Sequence, residues 1–185
     1  MDLTKTEMKN HPGTDHARIA SELFLSGASC AQAVFCAFCD LHGLERETAA
    51  RLASSMGAGV GRLREVCGAV SGAAMVMGLL YGFDYPPVGT QKGDLYAAVQ
   101  EMIAPFRARW GSIVCRDLLT AAGCAASELP NPEERTPEFF ARRPCPAVVA
   151  AAAQALDDYI AAHPIPQKLN TAARPAPAAA PAERI

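Results

Sequence analysis

The chain has 185 residues, of which 50% are hydrophobic, and these values fit one domain with a substantial core. Its 17 basic and 19 acidic residues give a net charge of −2, which argues against nucleic acid and anionic membrane as partners. The polar first residues lack the apolar centre of a signal peptide, so we expect a cytoplasmic protein. In that compartment the seven cysteines are not expected to form a permanent disulfide framework.

The first third of the chain is predicted to be helical after a flexible tail at residues 1–13. Ser29 and Gln32 form a capping-box pattern, which marks the start of a helix. Gly27 and Gly43 are placed as helix stops. The predicted helices are 14–27, 29–43 and 45–56.

A glycine-rich turn then leads into the helix around which we expect the fold to be organised. Residues 66–82 carry no charge, and Gly68 and Gly72 are spaced by four, which places them on one helical face. Another backbone can approach such a face closely, either within the chain or in a homodimer. Glycine and serine dilute the hydrophobicity of this run, so a buried helix is favoured over a membrane span.

The second half is also predicted to be helical, with two proline-bearing loops at 85–89 and 128–137. Its predicted helices are an amphipathic one from Asp94 to Trp110 with a kink at Pro105, a short one at 113–122 capped by Ser112, and a last one from Pro146 to about Ala162. Residues 164–185 are rich in proline and alanine and are predicted to be a disordered tail. No stretch alternates with period two. The sequence therefore predicts an all-α, single-domain bundle of six to seven helices over residues 14–163.

Four cysteines from distant parts of the chain fall in or beside a predicted first helical turn. Unpaired amide donors at a helix start can stabilise a thiolate, which favours nucleophilic exchange or metal ligation. The alternative is that cysteine acts as a small buried hydrophobe. The four are Cys30, Cys67, Cys115 and Cys145.

Cys67 is predicted to be the most reactive thiol, because glycines leave its surroundings open and Arg62 and Arg64 are near in sequence. Arg116 adds positive charge beside Cys115.

The remaining cysteines are Cys36, Cys39 and Cys124. Cys36 and Cys39 have thioredoxin-like spacing, but without a βαβ context we expect them to belong to the core. His42 follows on a similar face and is expected to be solvated near the helix end.

Several segments together resemble the C_GCAxxG_C_C family of redox-active proteins over about residues 16–162. They are Cys30-Ala31-Gln32-Ala33, Cys67-Gly68-Ala69-Val70-Ser71-Gly72, Gly111-Ser112-Ile113-Val114-Cys115-Arg116-Asp117-Leu118-Leu119, and Cys145. The resemblance implies that these four cysteines are the characteristic ones and that the protein takes part in redox or electron-transfer chemistry. The family is also similar to part of split-Soret cytochromes, but Asp40 follows Cys39 where covalent haem attachment needs histidine.

Three functions follow from these patterns. The first is reversible thiol–disulfide or electron-transfer chemistry at the four cysteines, supported by Gln32, the three arginines and the two spaced glycines. The second is a metal or iron–sulfur centre with the same four thiolates as ligands. The third is a non-enzymatic helical interaction module with structural cysteines. The sequence does not identify the redox partner or a cofactor.

Overall fold

The fold is taken from a computed structural model that describes residues 14–166. The described residues are helical, with no β-strand among them, so the predicted all-α class is confirmed. The helices are α1 (His16–Leu25), α2 (Cys30–Ala37), α3 (Cys39–His42), α4 (Arg46–Ala53), α5 (Gly68–Tyr81), α6 (Gln91–Trp110), α7 (Cys115–Ala121), α8 (Pro137–Arg142) and α9 (Cys145–Ala162), with a 3-10 turn at Ser54–Met56. The predicted tail at 1–13, and all but the first three residues of the tail at 164–185, lie outside the described residues.

Nine helices within 14–166 exceed the predicted six to seven, because the short helix α8 is added and the second predicted helix is divided. It is interrupted at Phe38, whose backbone (φ −99°, ψ 19°) leaves helical geometry. The Phe38 ring is fully buried and stacks on His16, with ring centroids 4.1 Å apart. Burial of this ring coincides with the break in the helix, and the sequence pattern alone shows neither.

Side-chain caps fix the starts of α1, α2 and α8, and the capping box predicted at Ser29 and Gln32 is confirmed. The Ser29 hydroxyl accepts from the Gln32 amide, and the Gln32 side chain accepts from the Ser29 amide, which completes the capping box. Asp15 caps α1, and Thr136 caps α8.

The predicted cap at Ser112 is wrong. α7 begins at Cys115 with Val114 as its N-cap. The Ser112 hydroxyl accepts from the Val114 amide and donates to the Asp117 carboxylate. Ser112 therefore shapes the loop before the helix and places Cys115 in the first helical position.

The spaced glycines of α5 face α2. A Cβ at Gly68 would lie 3.2 Å from the Ala31 amide nitrogen, and one at Gly72 would lie 2.7 Å from the Ala31 carbonyl oxygen. Both glycines are buried, so the close-approach face is used between two helices of the same chain. α5 is thus a central helix, as predicted. Because α2 covers its glycine face, that face is not free for the contact predicted in a homodimer.

α2, α5 and α9 pack together and carry most of the core, with α1 and α6 packed on α9. Within residues 14–166 no helix combines the length and the apolar character that a bilayer crossing requires.

Candidate functional site

The four predicted cysteines lie along one cavity. Cys30, Cys115 and Cys145 are the first residues of α2, α7 and α9, and Cys67 is the N-cap of α5. All four line a small cavity of about 20 Å³ whose other walls are mainly apolar. Four helix starts therefore meet at one place, although the thiols are far apart in sequence. All seven cysteines of the chain are free thiols in this structure.

An isolated antiparallel bridge between Val66 and Val114 holds two of these thiols together. The Cys67 amide donates to the Ile113 carbonyl at 2.8 Å, and the Cys115 amide donates to the Glu65 carbonyl at 2.7 Å. The loop before α5 is thereby paired with the loop before α7. This pairing is too short to be recognised as a period-two pattern in the sequence.

The glycine turn before α5 has an unusual left-handed backbone. Gly59 has φ +74°, and a Cβ there would lie 2.8 Å from the Cys115 Cβ, so only glycine fits beside this cysteine. Ala58, Val60, Arg62 and Arg64 also have φ between 54° and 71°, which is uncommon for residues with a side chain. This strained turn places both arginines at the site.

Burial is the main influence on the pKa of the Cys67 thiol. Cys67 is only 4% exposed, and burial raises its pKa to about 12 even though the Ala69 and Val70 amides donate to it. The open surroundings from which Cys67 was predicted to be the most reactive thiol are therefore not present, since the side chain is buried. The stabilising amides of the helix start are present, but loss of solvation outweighs them.

The pKa of Cys145 is shifted in the opposite direction to that of Cys67. A hydrogen bond from Cys30 lowers the pKa of Cys145 to about 7, although burial by itself would raise this pKa. The charges of Arg143, Arg64 and Arg135 also lower it. The same interaction with Cys145, together with burial, raises the pKa of Cys30 well above its ordinary value. The interaction between these two sulfurs therefore favours the negative charge on Cys145 and the proton on Cys30.

Cys115 is buried beside an arginine. The Arg64 Nη1 lies 3.9 Å from the Cys115 Sγ. Burial raises the pKa of Cys115, and the hydrogen bond and charge of Arg64 reduce that rise. Cys145 is thus the one thiol of the four whose pKa is lowered, whereas the pKa values of Cys30, Cys67 and Cys115 are raised.

A second, larger cavity of about 350 Å³ adjoins the thiols. Cys30, Cys115 and Cys145 line both cavities, whereas Cys67 lines only the small one. Four arginines and one glutamate are also part of the lining of the larger cavity. They are Arg62, Arg64, Arg135, Arg143 and Glu133.

The loop at 128–137 supplies part of this lining, a role that its polar sequence did not indicate. The Arg62 and Arg64 Nε groups donate to the Leu129 and Ser127 carbonyls, which attaches the loop to the glycine turn. Arg135 donates to the Ala28 carbonyl at 2.7 Å. Sequence reasoning missed Arg135 and Arg143; the closeness of Arg143 to Cys145 in the chain was the available signal.

Two of the predicted supporting residues have other roles. The Gln32 side chain completes the capping box and donates to the Ala50 carbonyl, so it joins α2 to α4. Arg116 pairs with Glu128 at the surface and lines neither cavity.

Cys36, Cys39 and Cys124 lie away from both cavities. Burial raises the pKa of Cys36 to about 11 and also raises that of Cys39, which agrees with the predicted core role. His42 is not solvated as predicted: it stacks on Phe35 and contacts its carbonyl, and burial lowers its pKa.

The predicted Cys₄ metal site has no support from the arrangement of donors. Within the described residues, no three or more His, Cys, Asp or Glu side chains are grouped so that they could hold a metal ion.

Comparison with known proteins shows the family to which the chain belongs. No curated protein and no solved structure matches the chain. A family model described as "Putative redox-active protein (C_GCAxxG_C_C)" matches residues 28–159, which include all four cysteines of the small cavity. The match covers well over half of the chain, and the chain belongs to the C_GCAxxG_C_C family of redox-active proteins.

Proposed function

We propose that this protein carries out thiol–disulfide exchange, with Cys145 as the attacking thiolate and Cys30 as the resolving thiol. The observation that carries this proposal is the meeting of four cysteines from four helix starts along one cavity. The family match supports redox chemistry in general terms.

The side chains suit a two-step exchange. The Cys145 thiolate attacks one sulfur of a substrate disulfide, and the other substrate sulfur leaves as a thiolate. The Cys30 thiol then loses its proton, attacks the Cys145 sulfur and displaces the second substrate thiol. The protein gains a Cys30–Cys145 disulfide, and two electrons pass to the substrate, which becomes two thiols.

This assignment differs from the sequence-based choice of Cys67 as attacking group. Burial raises the pKa of Cys67 to about 12, and Cys67 does not line the larger cavity. Only the thiolate is an effective nucleophile, so Cys145 is better suited. We further propose a cytoplasmic location, where cellular dithiols would return the disulfide to its reduced form.

The test uses fully reduced protein, purified without oxygen, and the neutral disulfide dithiodipyridine. We expect Cys145 to release one pyridinethione and Cys30 a second, with a Cys30–Cys145 disulfide found by peptide mapping. Cys30→Ser should stop after the first release with a mixed disulfide at Cys145. Cys145→Ser should remove both releases from the cavity thiols.

Cys124→Ser is the matched control, since Cys124 lies outside both cavities, and it should leave the Cys30–Cys145 disulfide intact. Mapping that finds Cys30 and Cys145 both unmodified would contradict the proposal. Metal content measured on the same sample tests the alternative: a bound metal that protects all four thiols would replace exchange with Cys₄ ligation.

A further inference from the structure

The larger cavity has a strong excess of positive charge. Four arginines face one glutamate along its lining, and three of the site thiols share the same cavity. Its volume of about 350 Å³ is in the range of small-molecule sites. The proposed exchange explains the thiols but does not require four guanidinium groups.

Arg64 is the most informative of these arginines. It is only 3% exposed. Its Nε donates to the Ser127 carbonyl at 2.8 Å, and its Nη1 contacts the Cys115 sulfur, but its buried Nη2 has no acceptor among the described residues. A buried donor without a partner is costly, and a ligand that supplies an acceptor would remove that cost.

Arg143, two residues before Cys145 in the chain, shows the same feature. Its side chain is 8% exposed and lies over the Phe139 ring, and one terminal nitrogen pairs with Glu133. Its buried Nε has no acceptor within residues 14–166. Two buried arginines that line one cavity therefore each keep a free N–H donor.

We propose that the arginine cavity binds an oxyanion group, such as a carboxylate, of a small disulfide substrate and so directs the substrate sulfur to Cys145. This inference rests on the proposed exchange function. Guanidinium groups bind carboxylates through charge-assisted hydrogen bonds, and an acceptor is what Arg64 and Arg143 lack. The exchange itself is unchanged: Cys145 forms a bond to one substrate sulfur, and the other sulfur leaves with the electron pair.

The experiment compares two disulfides under single-turnover conditions. Dithiobis(nitrobenzoic acid) carries a carboxylate on each ring, whereas dithiodipyridine is neutral. We measure the rate of the first thiol release at Cys145 for each probe at constant pH and ionic strength. The ratio of the two rates reports recognition of the anion, because any change in the Cys145 thiolate population affects both probes.

We expect Arg143→Gln and Arg64→Gln each to lower this ratio by roughly tenfold or more, which corresponds to the loss of one charge-assisted hydrogen bond. Arg51→Gln removes the same charge from an exposed position outside the cavity and should leave the ratio unchanged. If Arg64→Gln does not fold, Arg143→Gln and Arg62→Gln still test the cavity.

Equal slowing of both probes would overturn the inference, because the arginines would then act only on the thiolate. The failure of the exchange function has a different signature. It would show as a missing second release from Cys30, whereas the ratio is read from the first release alone.

Discussion

Cys67 and Cys145 both lie at the start of a long helix, yet their pKa values shift in opposite directions. Burial controls Cys67 and raises its pKa to about 12. A hydrogen bond from Cys30, assisted by three arginines, controls Cys145 and lowers its pKa to about 7. Position at a helix start is thus a weaker influence on a thiol than burial or a hydrogen-bond donor.

This contrast predicts a selective pH profile of alkylation. Iodoacetamide should modify Cys145 with a midpoint near its pKa of about 7, whereas Cys67, with a pKa of about 12, should react slowly below pH 9 or so. Cys30→Ala removes the hydrogen-bond donor and should raise the Cys145 midpoint. The measurement is the rate at each cysteine by peptide mapping across pH.

Cys124→Ala serves as the control and should not move the midpoint, since Cys124 is outside the cavities. Faster alkylation of Cys67 than of Cys145 at neutral pH would reject this assignment of the thiolate.

At the scale of elements, the contact between α2 and α5 holds two of the thiols in place. Gly68 and Gly72 let the two backbones approach, and a Cβ at Gly68 would also lie 3.2 Å from the Cys30 Cβ. Cys67 immediately precedes Gly68. The packing of small residues between the helices therefore also sets the relative position of Cys30 and Cys67.

Gly72→Ala should destabilise the fold by about 1–3 kcal/mol or more, because the new methyl group would overlap the Ala31 carbonyl oxygen at 2.7 Å. Gly78 is the matched control in the same helix, since it is exposed and a Cβ there meets nothing within 4 Å. Gly78→Ala should stabilise by about 0.5–1 kcal/mol through helix propensity. Urea unfolding measures both, and equal effects of the two variants would show that the close approach is unimportant.

At the scale of the whole molecule, His16 connects three helices at a distance from the thiols. It lies on α1, is 3% exposed, and contacts Asp157 on α9 at 2.6 Å and Asp40 on α3 at 3.2 Å. Burial lowers its pKa, but the hydrogen bond and charge of Asp157 and the charge of Asp40 outweigh this, so the pKa of His16 is raised. The sequence patterns did not single out His16 or Asp157.

This arrangement makes stability depend on pH with a defined sign. The pKa of His16 is higher in the folded state, so its contribution is fully present below the unfolded pKa of about 6.5 and is lost as pH rises through the folded pKa. Asp157→Asn should flatten this dependence and destabilise the fold by about 1–3 kcal/mol at pH 6. The free energy of unfolding, measured for both proteins between pH 5 and 9, tests the pH dependence and the loss of stability.

Asp158→Asn is the control, because Asp158 accepts from Gln154 on the exposed side of α9. It should leave the pH dependence unchanged. A wild-type stability that does not fall as pH rises above 6.5 would show that the folded protein does not hold His16 as an imidazolium.

The sequence by itself determined the local features. The Ser29 capping box placed the start of α2, and Pro146 marked the start of α9, because these signals act within one helical turn. Small residues spaced by four identified the close-packed face of α5, and the cysteines at helix starts marked the site.

Only the tertiary structure decided which thiol is ionised and what surrounds it. The break at Phe38, the bridge before Cys67 and Cys115, and the arginine cavity all depend on contacts between segments distant in sequence. Cys145 owes its lowered pKa to Cys30, which lies on another helix, and Cys67 owes its raised pKa to burial. Solvation and hydrogen bonding are properties of the assembled surroundings, so a local pattern can position a thiol but cannot set its charge.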